Sequence, residues 1–303
     1  MPLVPDSCRP WGRGWCAAGA SILEASAPKP GNVHPAAAFD DLNHAELVAA
    51  GLAIAPALER AADRPLGRTI LAAVTAARAV TRSNANLGIV LAIAPLAAVP
   101  EALDNRGRRL APSPADIASV LARLTPSDAD DVWQAIRLAQ PGGMGTSPQH
   151  DLSGPAPADL LAAMRLAAPH DTIARLWTQG YDPLFTGLVA DLDAGLRGGL
   201  SLNDAIVEAF LGQLQREPDS LIVRKHGPGV AIDVSERAAA ARGSPEKIAE
   251  FDRFLRSSGR RVADRSQPHR LNPGTSADLT AAALYILLYD GRLRPSPTTS
   301  TLA

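Results

Sequence analysis

Apolar residues recur at three- and four-residue spacing over roughly 15–26, 43–61, 67–81, 87–99, 157–167, 171–179, 184–196 and 203–216. That is the period of a helix with one buried face. Start and stop signals bracket further runs. In "SPAD", Ser113 stands at an N-cap, Pro114 at the first helical position and Asp116 three residues on, which is a capping box. "TPSD" repeats this with Thr125, Pro126 and Asp128. "SPEK" at 244–247 leads into "IAEFDRFLRSS", and "TSADLTAAALYILLYDG" runs from Thr275 to a terminal Gly291. Strand alternation is scarce. Only "LIVRKHGPGVAIDV" is ambiguous: its two apolar runs around His-Gly-Pro-Gly make either a hairpin between Leu221 and Val234, or a helix ending at Gly227 and another starting at Ser235. The pattern predicts an all-α, single-domain multi-helix bundle with at most one small β-hairpin.

Composition supports this. Of the 303 residues 46% are hydrophobic and only 4% aromatic, with alanine and leucine carrying most of the apolar content; both favour helix. The domain is expected to span 11–291, between flexible ends at 1–10 and 292–303. Pro/Gly/Ser-rich pieces at 100–115 and 140–156 read as loops within it, and no internal repeat is visible. A net charge of −1 gives no reason to expect nucleic acid or an anionic membrane as partner. "LGIVLAIAPLAAVP" is interrupted by proline and falls short of the ~20 residues a membrane span needs, so it reads as a buried helix. Cys8 and Cys16 have no metal or redox spacing and read as free thiols. With no secretory pattern at the start, the expected location is the cytoplasm.

Five polar sets interrupt the apolar scaffold. The first spans the bend "SAPKPGNVHP" and comprises Glu24, Lys29, Asn32, His34, Asp40 and Asp41. The second is "SNANLG" with Asn84 and Asn86; the third "HDTIAR" with His170, Asp171 and Arg175; the fourth "DSLIVRKHG" with Asp219, Arg224, Lys225 and His226; the fifth "NPGTSADL" with Asn272, Thr275, Ser276 and Asp278. Each has a plain structural reading as well. The Pro28–Gly31 bend is also a helix stop. Asn84 or Asn86 suits an N-cap. Asp278 suits a capping box with Thr275. Asp171 and Arg175 suit an i,i+4 surface pair, and Arg-Lys-His a solvated run. Taken together, several aspartates without a cysteine–histidine cluster suit a hard cation such as Mg²⁺. Lysine, arginine and helix N-termini suit phosphate oxygens. There is no Walker loop and no Rossmann fingerprint, so any nucleotide would sit on a helical scaffold.

The same residues carry a family resemblance. "EASAPKPGNVHP…FDDL", "NANLGIVLAIAPLA", "HDTIARLW", "DSLIVRKHG" and "NPGTSADLTAA" come in order over about residues 15–290. They resemble the successive blocks of the triphosphoribosyl-dephospho-CoA synthase family. The resemblance implies an all-helical transferase that joins ATP to 3′-dephospho-CoA and releases adenine. It resembles a divergent branch more than the founding members. Those carry a histidine and a lysine in the second block, where this chain has Asn84-Ala85-Asn86-Leu87-Gly88, and an aspartate where it has His34. A related enzyme with another acceptor, or a non-catalytic nucleotide-binding protein, stays open at this point. The family chemistry implies Asp40, Asp41 and Asp171 as metal ligands or bases, with Asp278 behind them as a further catalytic carboxylate. It implies Lys29, Arg224 and Lys225 on phosphate, with Asn32, Asn84 and Asn86 on ribose or base. His34, Arg175 and Asn272 complete the expected substrate contacts, and Mg²⁺ is the implied cofactor. The blocks must then converge on one cleft, with Lys29 and the amides of the bend facing the phosphates.

Overall fold

The computed structural model describes residues 11–81, 83, 85–140, 152–257 and 270–294. Among them there is no strand; only two isolated antiparallel bridges occur, His34 with Ala37 and Leu103 with Arg109. In chain order the helices are α1 (Arg13–Ser26), α2 (His44–Ala53), α3 (Ala55–Glu59), α4 (Leu66–Val80), α5 (Leu87–Ala97), α6 (Pro114–Leu121), α7 (Pro126–Ala139), α8 (Leu160–Ala167), α9 (Thr172–Gln179), α10 (Asp182–Leu184), α11 (Ala190–Arg197), α12 (Leu202–Arg216), α13 (Ser220–His226), α14 (Pro228–Ala241), α15 (Pro245–Ser257) and α16 (Gly274–Tyr289). A π-helical turn, Phe185–Val189, joins α10 to α11 without a break. Of the ends expected at 1–10 and 292–303, residues 1–10 and 295–303 lie outside the described residues.

The expected caps at Ser113 and Thr125 form as reciprocal boxes with Asp116 and Asp128. Two local expectations give way. "LIVRKHGPGVAIDV" is two helices rather than a hairpin, and α14 begins at Pro228, not at Ser235. Asp219 starts α13, Gly227 takes a φ of 87° between the helices, and Pro228 supplies a ready-made first turn. Thr275 does not cap α16, which starts one residue earlier and has no side-chain cap; Asp278 therefore has no box to complete.

α16 is the axis of the bundle. It packs against α1, α5, α12, α13 and the π turn. Every residue from Thr275 to Tyr289 is buried except Asp278, as expected of a helix apolar all round. α5 is enclosed in the same way, every residue but Gly88 being buried. The larger core cluster gathers α1, α4, α5, α7, α9 and most of α16. A smaller one unites α12 to α15 with Ala277 at the start of α16. Cys16 is a free, buried thiol, and burial pushes its pKa up to about 12. No helix among the described residues is long and apolar enough to cross a membrane.

Pro95 lies inside α5 and has no N–H to give the carbonyl of Leu91, four residues back. The indole of Trp177 on α9 donates to that oxygen at 2.9 Å, and Tyr181 donates to the next carbonyl, Ala92, at 3.1 Å. A proline that would otherwise leave an orphan acceptor in the core thus ties α9 to α5. Trp177→Phe should cost about 1–3 kcal/mol, the range for a buried acceptor left unsatisfied, plus a packing loss. Pro95→Ala restores the missing N–H, so the penalty should shrink in that background. Denaturant unfolding of the four proteins in a double-mutant cycle checks this; equal penalties in both backgrounds would contradict it.

Candidate active site

The starts of four helices meet around Asp278. Asp171 caps α9 by accepting from Ala174 N at 2.9 Å. Asp219 caps α13, one oxygen accepting from Leu221 N at 2.9 Å and Ile222 N at 3.1 Å. Its second oxygen accepts from Ser276 N at 2.7 Å and Ser276 Oγ at 2.8 Å, in the first turn of α16. Ser220 Oγ donates to Thr275 Oγ1 at 3.0 Å and accepts from Thr172 N at 3.4 Å, which joins α9, α13 and α16. Gly88, in the first turn of α5, faces Asp278 so closely that a Cβ there would stand 1.9 Å from Asp278 Oδ2. No larger residue fits at 88 while Asp278 holds that place.

The electrostatics follow from the burial. Asp278 is half-buried among these helix starts and is taken as the floor of the candidate site. Its pKa is raised well above the usual carboxylate range, first by desolvation, then by Glu24, Asp219 and Asp171; Arg224 opposes this. Asp219 is 2% exposed and is raised by desolvation against the pull of its four hydrogen bonds. Glu24 pairs with Lys29 Nζ at 2.8 Å, and Lys29 also donates to the Glu24 carbonyl. Arg224 meets Asp171 at 3.3 Å. Asp278 therefore has three further carboxylates and two cations around it, with Glu24, Lys29 and Asp219 buried behind it. Beside them three polar atoms have no hydrogen-bond partner among the described residues: Asn32 Oδ1, Asn86 Nδ2 and Arg224 Nε. Buried polar groups are seldom left so, and a ligand would satisfy them.

The five sets do come together. Asn32 Nδ2 donates to Asn272 Oδ1 at 2.7 Å, joining the first set to the fifth. Arg270 bonds Asp41 at 2.5 Å and stacks on Phe39, and Ser83 donates to the Asp41 carbonyl. Lys225 is exposed, yet its pKa is lowered by partial desolvation first and by Arg224 and Arg270 next, while Asp41 opposes. Asn86 sits at the N-cap position of α5 but makes no side-chain cap bond. Asn84 lies outside the described residues.

Other expected residues are placed differently. Lys29 is 0% exposed and engaged by Glu24, so its charge is spent inside the wall. The bend's amides are engaged too: Lys29 N donates to Ala27 O, Asn32 N to Lys29 O, and Gly31 N to Asp252. Gly31 has a φ of 76° and lies against Leu255 and the Leu271 carbonyl, so the bend is packed wall and its amides do not face open space. Arg256 holds the Asn32 carbonyl at 2.7 Å. His34 lies beside Arg256, its pKa lowered by burial and that cation. Arg175 does not pair with Asp171 along the helix; it pairs with Glu217 and donates to Ala168 O. Asp40, Asp41 and Asp171 do not gather, and no three acidic, histidine or cysteine side chains stand close enough to hold a metal ion among the described residues. The reason is local: Asp41 is on the exposed rim with Arg270, whereas Asp171 is tied to its helix start and Arg224.

A profile of the CitG family, described as ATP:dephospho-CoA triphosphoribosyl transferase, matches residues 11–296. The chain belongs to this family. It is thus a transferase of cofactor biosynthesis, as the five blocks implied. The crystal structure of a candidate triphosphoribosyl-dephospho-CoA synthase from Archaeoglobus fulgidus is similar to it, with a TM-score of 0.61 and 26% sequence identity, over 80% of this chain and 99% of that one. No curated protein matches.

The raised pKa of Asp278 sets a stability test. Below its unfolded value near 3.9 the group is protonated in both states and has no effect. As pH climbs from there to the raised folded value, the unfolded chain ionises first and stability falls. Above it a constant deficit remains. In the metal-free protein, Asp278→Asn should melt at or above the wild-type temperature at pH 8, with the difference vanishing near pH 4. A variant less stable than wild type at pH 8 but not at pH 4 would contradict this.

Proposed function

We propose that this protein transfers the triphosphoribosyl group of ATP to the ribose 2′-hydroxyl of 3′-dephospho-CoA, with release of adenine, in the cytoplasm. The observation that carries the proposal is Asp278. It is the one residue between Thr275 and Tyr289 open to solvent on the core helix, and it lies where four helix starts meet, with neighbours from each of the other four blocks. In the transfer, the acceptor oxygen bonds to C1′ of the ATP ribose and the C1′–N9 bond breaks. Adenine keeps the electron pair and takes a proton, and the hydroxyl proton goes to a carboxylate. The sugar passes through a cationic, oxocarbenium-like state, as in glycoside cleavage. Asp278 is the group for this work: its anion would sit beneath the charged sugar, and a carboxylate whose pKa is raised by burial is a stronger base toward the hydroxyl proton than an ordinary one.

Arg224 and Lys225 are the cations left to meet phosphate, since Lys29 is enclosed. Asn32 Oδ1 and Asn86 Nδ2 offer an acceptor and a donor to the ribose or the base. Magnesium fits this donor set in one way. No three acidic side chains stand together among the described residues, but Mg²⁺ needs only one or two carboxylates and takes the remainder from phosphates and water. Asp171, one-third exposed at its side chain, would hold it, and the ion would neutralise triphosphate charge. Enclosing the reactants would keep water from competing for C1′.

Incubation with ATP and dephospho-CoA, read by adenine release and product mass, tests the proposal. Stoichiometric adenine and one adduct of the two substrates minus adenine are expected. Arg224→Ala should lower kcat/KM by about 10- to 100-fold, the loss of one charge-assisted contact of about 1.5–3 kcal/mol. ATP binding without adenine release, whatever the acceptor, would overturn it.

A further inference from the structure

The cations that face the nucleotide stand on α13, a helix of seven residues, and so short a helix has little stability of its own. Something else must set its distance from the floor carboxylate on α16. Asp219 is the group that touches both. One oxygen receives the first amides of α13, the other the amide and hydroxyl of Ser276, two residues before Asp278. At 2% exposure it has no open face toward substrate. Neither a cap nor a core contact needs a charge there: an asparagine would cap α13 as well, and burying the carboxylate raises its pKa. What only a carboxylate can do is accept on both oxygens at once. Ser220 Oγ to Thr275 Oγ1 runs alongside as a second, weaker tie.

We propose that Asp219 is a positioning residue for the transfer: by accepting from α13 and α16 together it fixes Arg224 and Lys225 against Asp278. This rests on the reaction proposed above. Asp219→Asn separates the two jobs. The amide oxygen still accepts from Leu221 and Ile222, so the cap survives. The amide nitrogen then faces the Ser276 N–H, donor against donor, so the tie to α16 is lost. Ser276→Ala removes only the hydroxyl half of the same tie and serves where Asp219→Asn folds poorly.

The readout is the split between kcat and KM at 25 °C, with folding checked by circular dichroism. Asp219→Asn should lower kcat by about 100-fold, the cost of misplacing groups by about 1 Å, while KM for ATP changes by less than about threefold. Ser276→Ala should lower kcat by about five- to tenfold with the same KM. A folded Asp219→Asn with kcat within about threefold of wild type overturns the proposal, and so does an unchanged Ser276→Ala if Asp219→Asn does not fold. A crystal structure of Asp219→Asn, or of Ser276→Ala in that case, gives a readout independent of the chemistry. Arg224 should stand farther from Asp278 than in wild type, and an unmoved Arg224 overturns the proposal. Wild type that releases no adenine would refute the reaction alone and leave that structural test in force.

Discussion

The constraint on which this structure turns is a group of carboxylates confined where helices begin. Helix starts carry partial positive charge and unpaired amides, which is why Asp171 and Asp219 are stable as caps. Packing four starts together brings the acids together too, and desolvation first and repulsion second fall on the member without a cap to make. That member is Asp278, on a helix otherwise buried from Thr275 onward. The chain answers with two cations of its own, Lys29 beside Glu24 and Arg224 beside Asp171. A cationic sugar above Asp278 would relieve that crowding of acids, and a bare triphosphate would add to it.

The scaffold serves that floor. α16 can carry a carboxylate into the core because its other faces are packed against α1, α5 and α12. α5 can approach closely enough because residue 88 has no Cβ. α9, which brings Asp171, is tied to α5 by the Trp177 indole at the carbonyl that Pro95 cannot serve. The bend at Pro28–Gly31 is held from behind by Asp252 and Arg256 of α15. It is packed against that helix, and its lysine pairs with a neighbouring glutamate.

The helices were legible because their signals are local. Apolar spacing and the capping boxes at Ser113 and Thr125 are read within a few residues, whereas the start of α14 at Pro228 was not, since the pattern placed it at Ser235 or in a hairpin. The hairpin alternative arose because β-branched runs beside a turn look alike in both structures, and the cap at Asp219 decided it. The grouping of the five blocks was also legible, through their resemblance to one family. Individual roles were not. Lys29 and Asp41 look like ligand contacts in sequence, but burial turns one inward and Arg270 takes the other. Asp278 resembles a cap, and only the actual start of α16 shows that it has none to make. Gly88 and Asp219 matter through tertiary contacts with residues far along the chain, which no local pattern reveals.

The most direct test is a crystal structure of the protein with ATP, Mg²⁺ and dephospho-CoA, using Asp278→Asn to hold the reactants in place. The account predicts the triphosphate against Arg224 and Lys225, with C1′ of the ATP ribose and the acceptor 2′-hydroxyl both over residue 278 between the starts of α5 and α16. A nucleotide bound elsewhere, or one whose ribose lies away from residue 278, would contradict it.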